Sequence, residues 1–507
     1  MSAGAPPPAP SPASMRPAFH FSVPDNWKND PQRPIFLDGE YHYYYLYNAD
    51  YLAGGRGTAW RRATTRDHVA FVDRGVAIEK FTDGNGDCWS GSLVVDVDDT
   101  AGYGRGAVIA LVTQARTDQV PEGAQAQYLW FSTDGGASFG PGGTDPVLAD
   151  PDIAEFRDPK VIWDAVRGRW FMALAEGDRL GFYVSPDLAA WQRVGEFARD
   201  DLGLLECPDL FEMTASDGSS HWVLGVSANA KHRGLPATYA YWTGAFDGAG
   251  FVPDAAEPRW LDWGFDFYGA VTYPHHTPTG DEDATVRHAI GWANFWDYPH
   301  NTPTLLTDGY NGDDMIVRDL RLVPDAGGYC LASAPTSALR DYTTREHRLG
   351  DQEVDGHVDL PLHLAAYDLE CVIEWSVDAL TPTSEVGVDV CRAEGGTRFV
   401  GVGLDVGAAQ VFLDRTMTIN PTRGRTRAPL DTSRGRVSFR MLVDRTSVEV
   451  FVDDGRSVQS HRVFPLPSDD GIRLYARGGS ATFRDLMIRE LLVPESSVPA
   501  HESEEAR

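Results

Sequence analysis

The sequence predicts an all-β chain, a radial array of β-blades followed by an antiparallel β-sandwich, and three observations lead to that expectation. Between Phe19 and Val323 the chain runs in short strand-like stretches broken by Gly, Asp and Pro, such as Tyr41-His42-Tyr43-Tyr44-Tyr45-Leu46-Tyr47, Gly106 to Gln114, Val161 to Leu174 and Trp222 to Ser227. Amphipathic helical periods are absent there, so the choice lies between a sandwich, a barrel and a propeller. A recurring segment favours the propeller. Tyr128-Leu129-Trp130-Phe131-Ser132-Thr133-Asp134-Gly135 and Phe182-Tyr183-Val184-Ser185-Pro186-Asp187-Leu188 each lead a strand into a Ser-x-Asp turn followed by Phe139 or Trp191, as repeated blades require. The repeat is too degenerate to count the blades.

Taken in order, residues 1–18 are rich in Ala, Pro and Ser and read as a disordered leader. They lack the basic start and apolar core of a secretory signal. A cytoplasmic location is therefore expected for the chain as written, and an extracellular one if it is processed from a longer precursor. The blades occupy 19–325, and Asp325-Ala326-Gly327-Gly328 opens an expected linker over 326–350. Beyond it, Leu369 to Trp375, Phe399 to Leu404, Val437 to Val443 and Val448 to Val452 alternate apolar and polar residues. That is the pattern of an antiparallel sandwich with one face buried, expected over 351–493. The acidic stretch 494–507 reads as a disordered tail.

Composition narrows the partners. The chain has 507 residues, 42% hydrophobic and 23% charged, enough for two globular domains. Its 74 acidic against 44 basic residues leave a net charge of −30, which argues against nucleic-acid or anionic-membrane partners, since both need basic patches. A neutral or cationic small molecule fits better. The chain contains no apolar run of membrane-spanning length. Fourteen Trp, 19 Tyr and 23 Phe serve core packing or offer platforms for apolar sugar faces. Cys88, Cys207, Cys330, Cys371 and Cys391 are scattered without CxxC pairs, so neither a disulfide framework nor a zinc site is readable. The oligomeric state is left open.

Three stretches place a carboxylate beside residues that tune it. In Asn26-Trp27-Lys28-Asn29-Asp30-Pro31-Gln32-Arg33-Pro34, Pro31 restricts the backbone of Asp30 and holds its side chain in place. An Asx-Pro turn explains the same residues. In Glu155-Phe156-Arg157-Asp158-Pro159-Lys160, flanking cations favour the ionised form of Asp158 and suit it to act as an anion or acceptor. In Leu204-Leu205-Glu206-Cys207-Pro208-Asp209, Glu206 follows an apolar pair, and apolar surroundings hold a carboxyl proton to the higher pH that a general acid needs. Singly these read as a turn, a surface ion pair and a solvated acid. Together they match the parts of a retaining glycosidase, a nucleophile and an acid/base about 5 Å apart, with a third carboxylate to grip hydroxyls.

The motifs Trp27-Lys28-Asn29-Asp30-Pro31, Trp89-Ser90-Gly91-Ser92, Phe156-Arg157-Asp158-Pro159, Glu206-Cys207-Pro208 and Asp266-Phe267-Tyr268 resemble, in that order, those of glycoside hydrolase family 32. This family of fructan-cleaving enzymes includes invertases, inulinases and levanases. Val443-Asp444-Arg445-Thr446-Ser447-Val448-Glu449-Val450-Phe451-Val452 is similar to the signature of the family's C-terminal sandwich, so the resemblance spans about Phe19 to Leu492. It implies a five-bladed propeller with its active site at the funnel end of the central channel, and a β-sandwich alongside. It also implies a carbohydrate partner, a fructan or fructo-oligosaccharide, and no metal or organic cofactor.

By the same resemblance Asp30 is the nucleophile on the anomeric C2 of a fructofuranosyl unit, Glu206 the acid/base and Asp158 the transition-state stabiliser, with Arg157 adjoining it. Asn29 would orient Asp30 or donate to a fructosyl hydroxyl, Trp89 and Ser90 would line the pocket, Asp266 and Tyr268 would complete its polar floor, and Trp292 falls where the family has a pocket tryptophan. Cys207 reads as a buried neighbour of the acid, because no base stands near it in sequence. Where the common family form continues with Asn-Gly, this chain has Gln32-Arg33-Pro34. Gln32 and Arg33 are expected at the pocket rim, offering donors to hydroxyls, and the segment resembles bacterial members acting on levan. The expected function is retaining hydrolysis of levan or levan-derived oligosaccharides. The alternatives are a levan fructotransferase forming a cyclic difructose anhydride and a non-catalytic fructan-binding protein.

Overall fold

A computed structural model describes residues 14–115, 125–277, 279–376 and 383–494. Five sheets of four or five strands, antiparallel but for one short pairing, precede one ten-stranded sheet. The innermost strands of the five are Asn26–Leu37, Asp87–Asp96, Arg157–Asp164, Leu205–Thr214 and Tyr268–His276. They pack against one another around a common axis, which makes the first domain a five-bladed propeller. The first blade is completed by late chain: Tyr310–Asn311 pairs in parallel with Asn26 and Trp27. That late pairing closes the ring.

The tyrosine run of Glu40–Asn48 shows why the sequence folds this way. Successive side chains of a strand point to opposite faces. Tyr44 and Leu46 enter a core shared with Trp60, Leu93, Val112 and Trp130 of the first two blades. Tyr41, Tyr43, Tyr45 and Tyr47 enter another, with Val271, Tyr273 and Ile290 of the fifth. A blade strand is buried on both faces, so it reads as an unbroken apolar and aromatic run. The same division places Trp170 and Met172 against the second blade and Phe171 against the fourth. Each wholly buried side chain of this size is worth about 1.5–3 kcal/mol.

Two stretches differ from expectation. Residues 1–13 of the leader lie outside the described residues, but Ser14 donates to Asp308 at 2.6 Å and Ala18 is buried. The leader is therefore fastened from Ser14 onward. Residues 326–350 are not a linker. Gly328–Pro335 is the outermost strand of the fifth blade, Ser337–Tyr342 is a 3₁₀ turn, and Thr343–His363 opens the second domain. The turn residues that suggested a linker make a hairpin instead, with Asp325 paired to Gly328. Of the tail, residues 495–507 lie outside the described residues.

The second domain is a β-sandwich. Its two layers share a core that includes Val386, Val402 and Leu413 from one and Leu369, Phe439 and Val450 from the other. Gly471–Leu491 belongs to both layers, pairing first with Glu385–Arg392 and then with Tyr367–Trp375. The domains meet through buried ion pairs. Arg318 bonds Asp262 at 2.7 Å and Glu449 at 3.0 Å, Arg415 bonds Asp266 at 2.6 Å, and Arg462 bonds Asp313 at 2.7 Å. Among the described residues no helix is long and apolar enough to cross a membrane.

Candidate active site

Each of the five inner strands loses register with its neighbour at the same place, two residues facing one. The breaks fall between Lys28 and Pro31, Cys88 and Gly91, Arg157 and Lys160, Glu206 and Asp209, and Tyr268 and Val271. Such β-bulges bend a strand and re-aim its side chains. Pro159 and Pro208 sit inside them, where a missing N–H removes no ladder bond. Asp158 and Cys207 take positive φ of 62° and 49°, each costing about 1–3 kcal/mol that the surrounding sheet must hold. As a result Asn29, Asp30, Trp89, Ser90, Asp158 and Glu206 line one cavity of about 600 Å³ at one end of the axis.

Asp30 is buried, and Ser90 Oγ donates to its Oδ2 at 3.0 Å while Oδ1 has no hydrogen-bond partner among the described residues. Burial, then the nearby Asp158 and Glu206, push its pKa up to about 7 against the pull of Ser90 and Lys28. Gly269, with φ 55°, lies so close that any side chain there would meet Asp30. Asp158 Oδ2 accepts from Cys207 N at 3.0 Å, and Thr113 holds its backbone amide at 3.0 Å. Burial raises its pKa, and Arg157 works against that rise. The expected second cation is elsewhere: Lys160 Nζ lies 2.8 Å from Asp209, on the strand stretch that leads away from the pocket.

Glu206 differs from its sequence reading. Leu205 turns into the core between the third and fourth blades. The immediate partners of Glu206 are polar: Arg157 Nη2 donates to Oε1 at 2.9 Å and the Tyr268 hydroxyl donates to Oε2. Arg157 also lies over the Trp89 ring, 5.9 Å from its centroid. The buried Tyr268 thus touches the acid from beneath.

Four other expected site residues do not reach the cavity. Gln32, wholly buried, takes Gly91 N on its Oε1 at 2.7 Å and donates from Nε2 to Ser90 at 3.2 Å. Arg33 is equally internal. Neither stands at the rim, because the chain after Asp30 descends along the axis instead of turning outward. Asp266 is held by Arg415, Tyr298 and the Arg462 amide in the domain interface, where the Arg415 guanidinium pairs its charge away from the pocket. Trp292 is buried behind the wall, edge-on to Trp27 at 6.2 Å and to Trp296 at 5.3 Å. These two line the cavity in its place.

The cavity also takes in Tyr51, Arg56, Asp87, Gln125, Glu155 and His300, which the sequence did not single out. Tyr51 stacks on Trp27 at 6.0 Å and on His300 at 5.6 Å. Asp87 receives Thr58 N and Trp89 Nε1 on Oδ2, both at 3.1 Å. Trp27 and Glu155 carried a usable signal, lying inside quoted stretches, and so did Asp87, two residues before Trp89. Among the described residues no group of three or more His, Cys, Asp or Glu is arranged to hold a metal ion.

A bulge-lined pocket on a propeller axis that gathers three carboxylates, with aromatic rings for walls, is the equipment of a glycoside hydrolase. The family models agree: the N-terminal domain of glycosyl hydrolases family 32 matches residues 20–335 and its C-terminal domain 336–490. The chain belongs to that family. It is 44% identical to a levanbiose-producing levanase of Bacillus subtilis over 94% of this chain and 90% of that one. It is 43% identical to a levanbiose-producing levanase of Geobacillus stearothermophilus over 79% of this chain and all of that one. Among solved structures, exo-inulinase from Aspergillus awamori superposes with TM-score 0.82 at 25% identity, over 95% of this chain and 98% of that one.

Proposed function

We propose that this enzyme cleaves the fructosyl linkages of levan, and of oligosaccharides derived from it, with retention at the anomeric carbon. The observation that carries the reading is the meeting of Asp30, Asp158 and Glu206 in one pocket. The Asp30 carboxylate attacks C2 of the fructosyl unit. Glu206 gives its proton to the departing oxygen, which leaves as a hydroxyl. A water then attacks C2, Glu206 takes the water's proton, and the bond to Asp30 breaks. Asp158, pinned by the Cys207 amide, faces the positive charge that develops on the ring. Levan as substrate is supported by the two levanbiose-producing relatives, each more than 40% identical.

Product analysis on levan, inulin and sucrose side by side tests the reading. Levan should be consumed fastest and yield only hydrolytic products. A dominant difructose two hydrogens lighter than the hydrolytic disaccharide would overturn hydrolysis in favour of transfer. Asp30→Asn and Glu206→Gln should each lower kcat by at least about a hundredfold with the fold intact.

A further inference from the structure

Arg33 lies on the inner strand of the first blade, yet its hydrogen bonds go to three other blades. Nη1 donates to Gly91 O at 2.6 Å and to Pro159 O at 3.3 Å, and Nη2 donates to Pro208 O. The Pro159 and Pro208 carbonyls lie inside bulges, and Gly91 is the first residue past one. Gly91 follows Ser90, the donor to Asp30, Pro159 follows Asp158, and Pro208 lies two residues past Glu206. Carbonyls inside a bulge have lost their ladder partners, and a planar fork with five donors can serve three carbonyls from one point. Gln32 completes the tie, reaching Ser90 and the Asp30 carbonyl from the same strand.

We propose that Arg33 is a positioning residue of the hydrolysis, its guanidinium tying the bulges that carry Ser90, Asp158 and Glu206 to one axial point and so fixing the separation of the three carboxylates. This rests on the catalytic roles given above. A structural plug needs only to fill the axis, whereas a positioning tie must hold its angles. Its positive charge beneath the acids also counters the rise in the Asp158 pKa. Misplacing a reacting group by about 1 Å costs on the order of a hundredfold in rate.

The experiment compares Arg33→Lys and Arg33→Ala with wild type, measuring thermal unfolding, kcat and KM on a short β-2,6-linked fructo-oligosaccharide. Arg33→Lys keeps the buried charge but has no fork. Its kcat should fall about a hundredfold while KM, set by the unchanged pocket walls, moves less than about threefold. In Arg33→Ala, millimolar guanidinium should restore part of kcat and leave wild type unaffected. A wild-type kcat in Arg33→Lys overturns the proposal, as does an Arg33→Ala rate loss that equals the unfolded fraction and ignores guanidinium. If Arg33→Ala does not fold, Arg33→Lys alone decides. Full activity in Asp30→Asn would instead remove the nucleophile reading, so the two failures are distinguishable.

Discussion

Gly269 gives up the space of a side chain to Asp30: a Cβ on Gly269 would stand 2.5 Å from Asp30 Oδ1 and 2.7 Å from its Cγ. With φ at 55° the position also disfavours any L residue. Gly269→Ala should therefore push the carboxylate aside, lowering kcat by about a hundredfold and stability by about 1–2 kcal/mol. Steady-state kinetics and urea unfolding check both. An alanine variant with wild-type kcat would show that the space left at Gly269 does not set the position of the Asp30 carboxylate.

The nucleophile role proposed for Asp30 requires an ionised carboxyl, and burial beside Asp158 and Glu206 raises its pKa to about 7, so kcat/KM should fall as pH drops through 7. The Ser90 hydrogen bond favours the ionised form, so Ser90→Ala should move this limb to higher pH. A limb near pH 4 in wild type would contradict the burial argument.

The same shift has a stability sign. The folded carboxyl titrates near 7 and the unfolded one near 3.8, so between those values the folded state binds more protons and stability falls as pH rises. Asp30→Asn removes the charge and should unfold at a higher temperature than wild type at pH 8, with the advantage vanishing below about pH 4. Equal melting temperatures at pH 8 would count against it.

Asp266 holds Arg415 at 2.6 Å in the domain interface, out of contact with the pocket. Asp266→Ala leaves a buried cation unpaired and should cost about 3–5 kcal/mol, with KM unchanged for the protein that remains folded. A raised KM at intact stability would return Asp266 to the site.

His20 places Nδ1 2.9 Å from Asp444 and Nε2 2.9 Å from Glu449. Burial opposes its charge, but the two carboxylates outweigh burial and raise its pKa from 6.5 to about 9. A raised cation stabilises fully below the unfolded value and loses that contribution as pH rises through the folded one. His20→Gln should thus be destabilising at pH 6 and much less so at pH 10, as melting curves at the two values will show.

The sequence carried the architecture because blade strands bury both faces and advertise it, as the run Tyr41 to Tyr47 does. It carried the three carboxylates because Asp30 and Asp158 directly precede a proline and Glu206 stands two residues before one, each proline lying in or at the end of a bulge. It misplaced Gln32, Arg33 and Asp266 for one reason: a charged or amide side chain reads as exposed unless its partners are known, and apart from the Asp30 carbonyl bonded by Gln32 theirs lie 58 to 175 residues away for Gln32 and Arg33 and 32 to 196 for Asp266. The signature around Asp444 and Glu449 was legible as a motif but not as a fastening. Its partners, His20, Ile316 and Arg318, belong to the other domain. Tyr51 and His300 meet only across the ring, and no local pattern announces them.

Asp444 receives the amides of Ala18 and Phe19 from 426 and 425 residues away, and the Asn26–Leu37 strand waits for Tyr310–Asn311 to pair. At about 5–20 residues per second of synthesis, Asp444 emerges on the order of 20–90 s after Phe19. Tyr310 emerges on the order of 15–60 s after Asn26; until then the inner edge of the first blade is bare, and a bare edge invites pairing with another chain. Pro31 and Pro34, each lacking an N–H, interrupt it. Pro31, which restricts the backbone of Asp30 in the finished enzyme, thus also stands in an edge that is open while the chain is made.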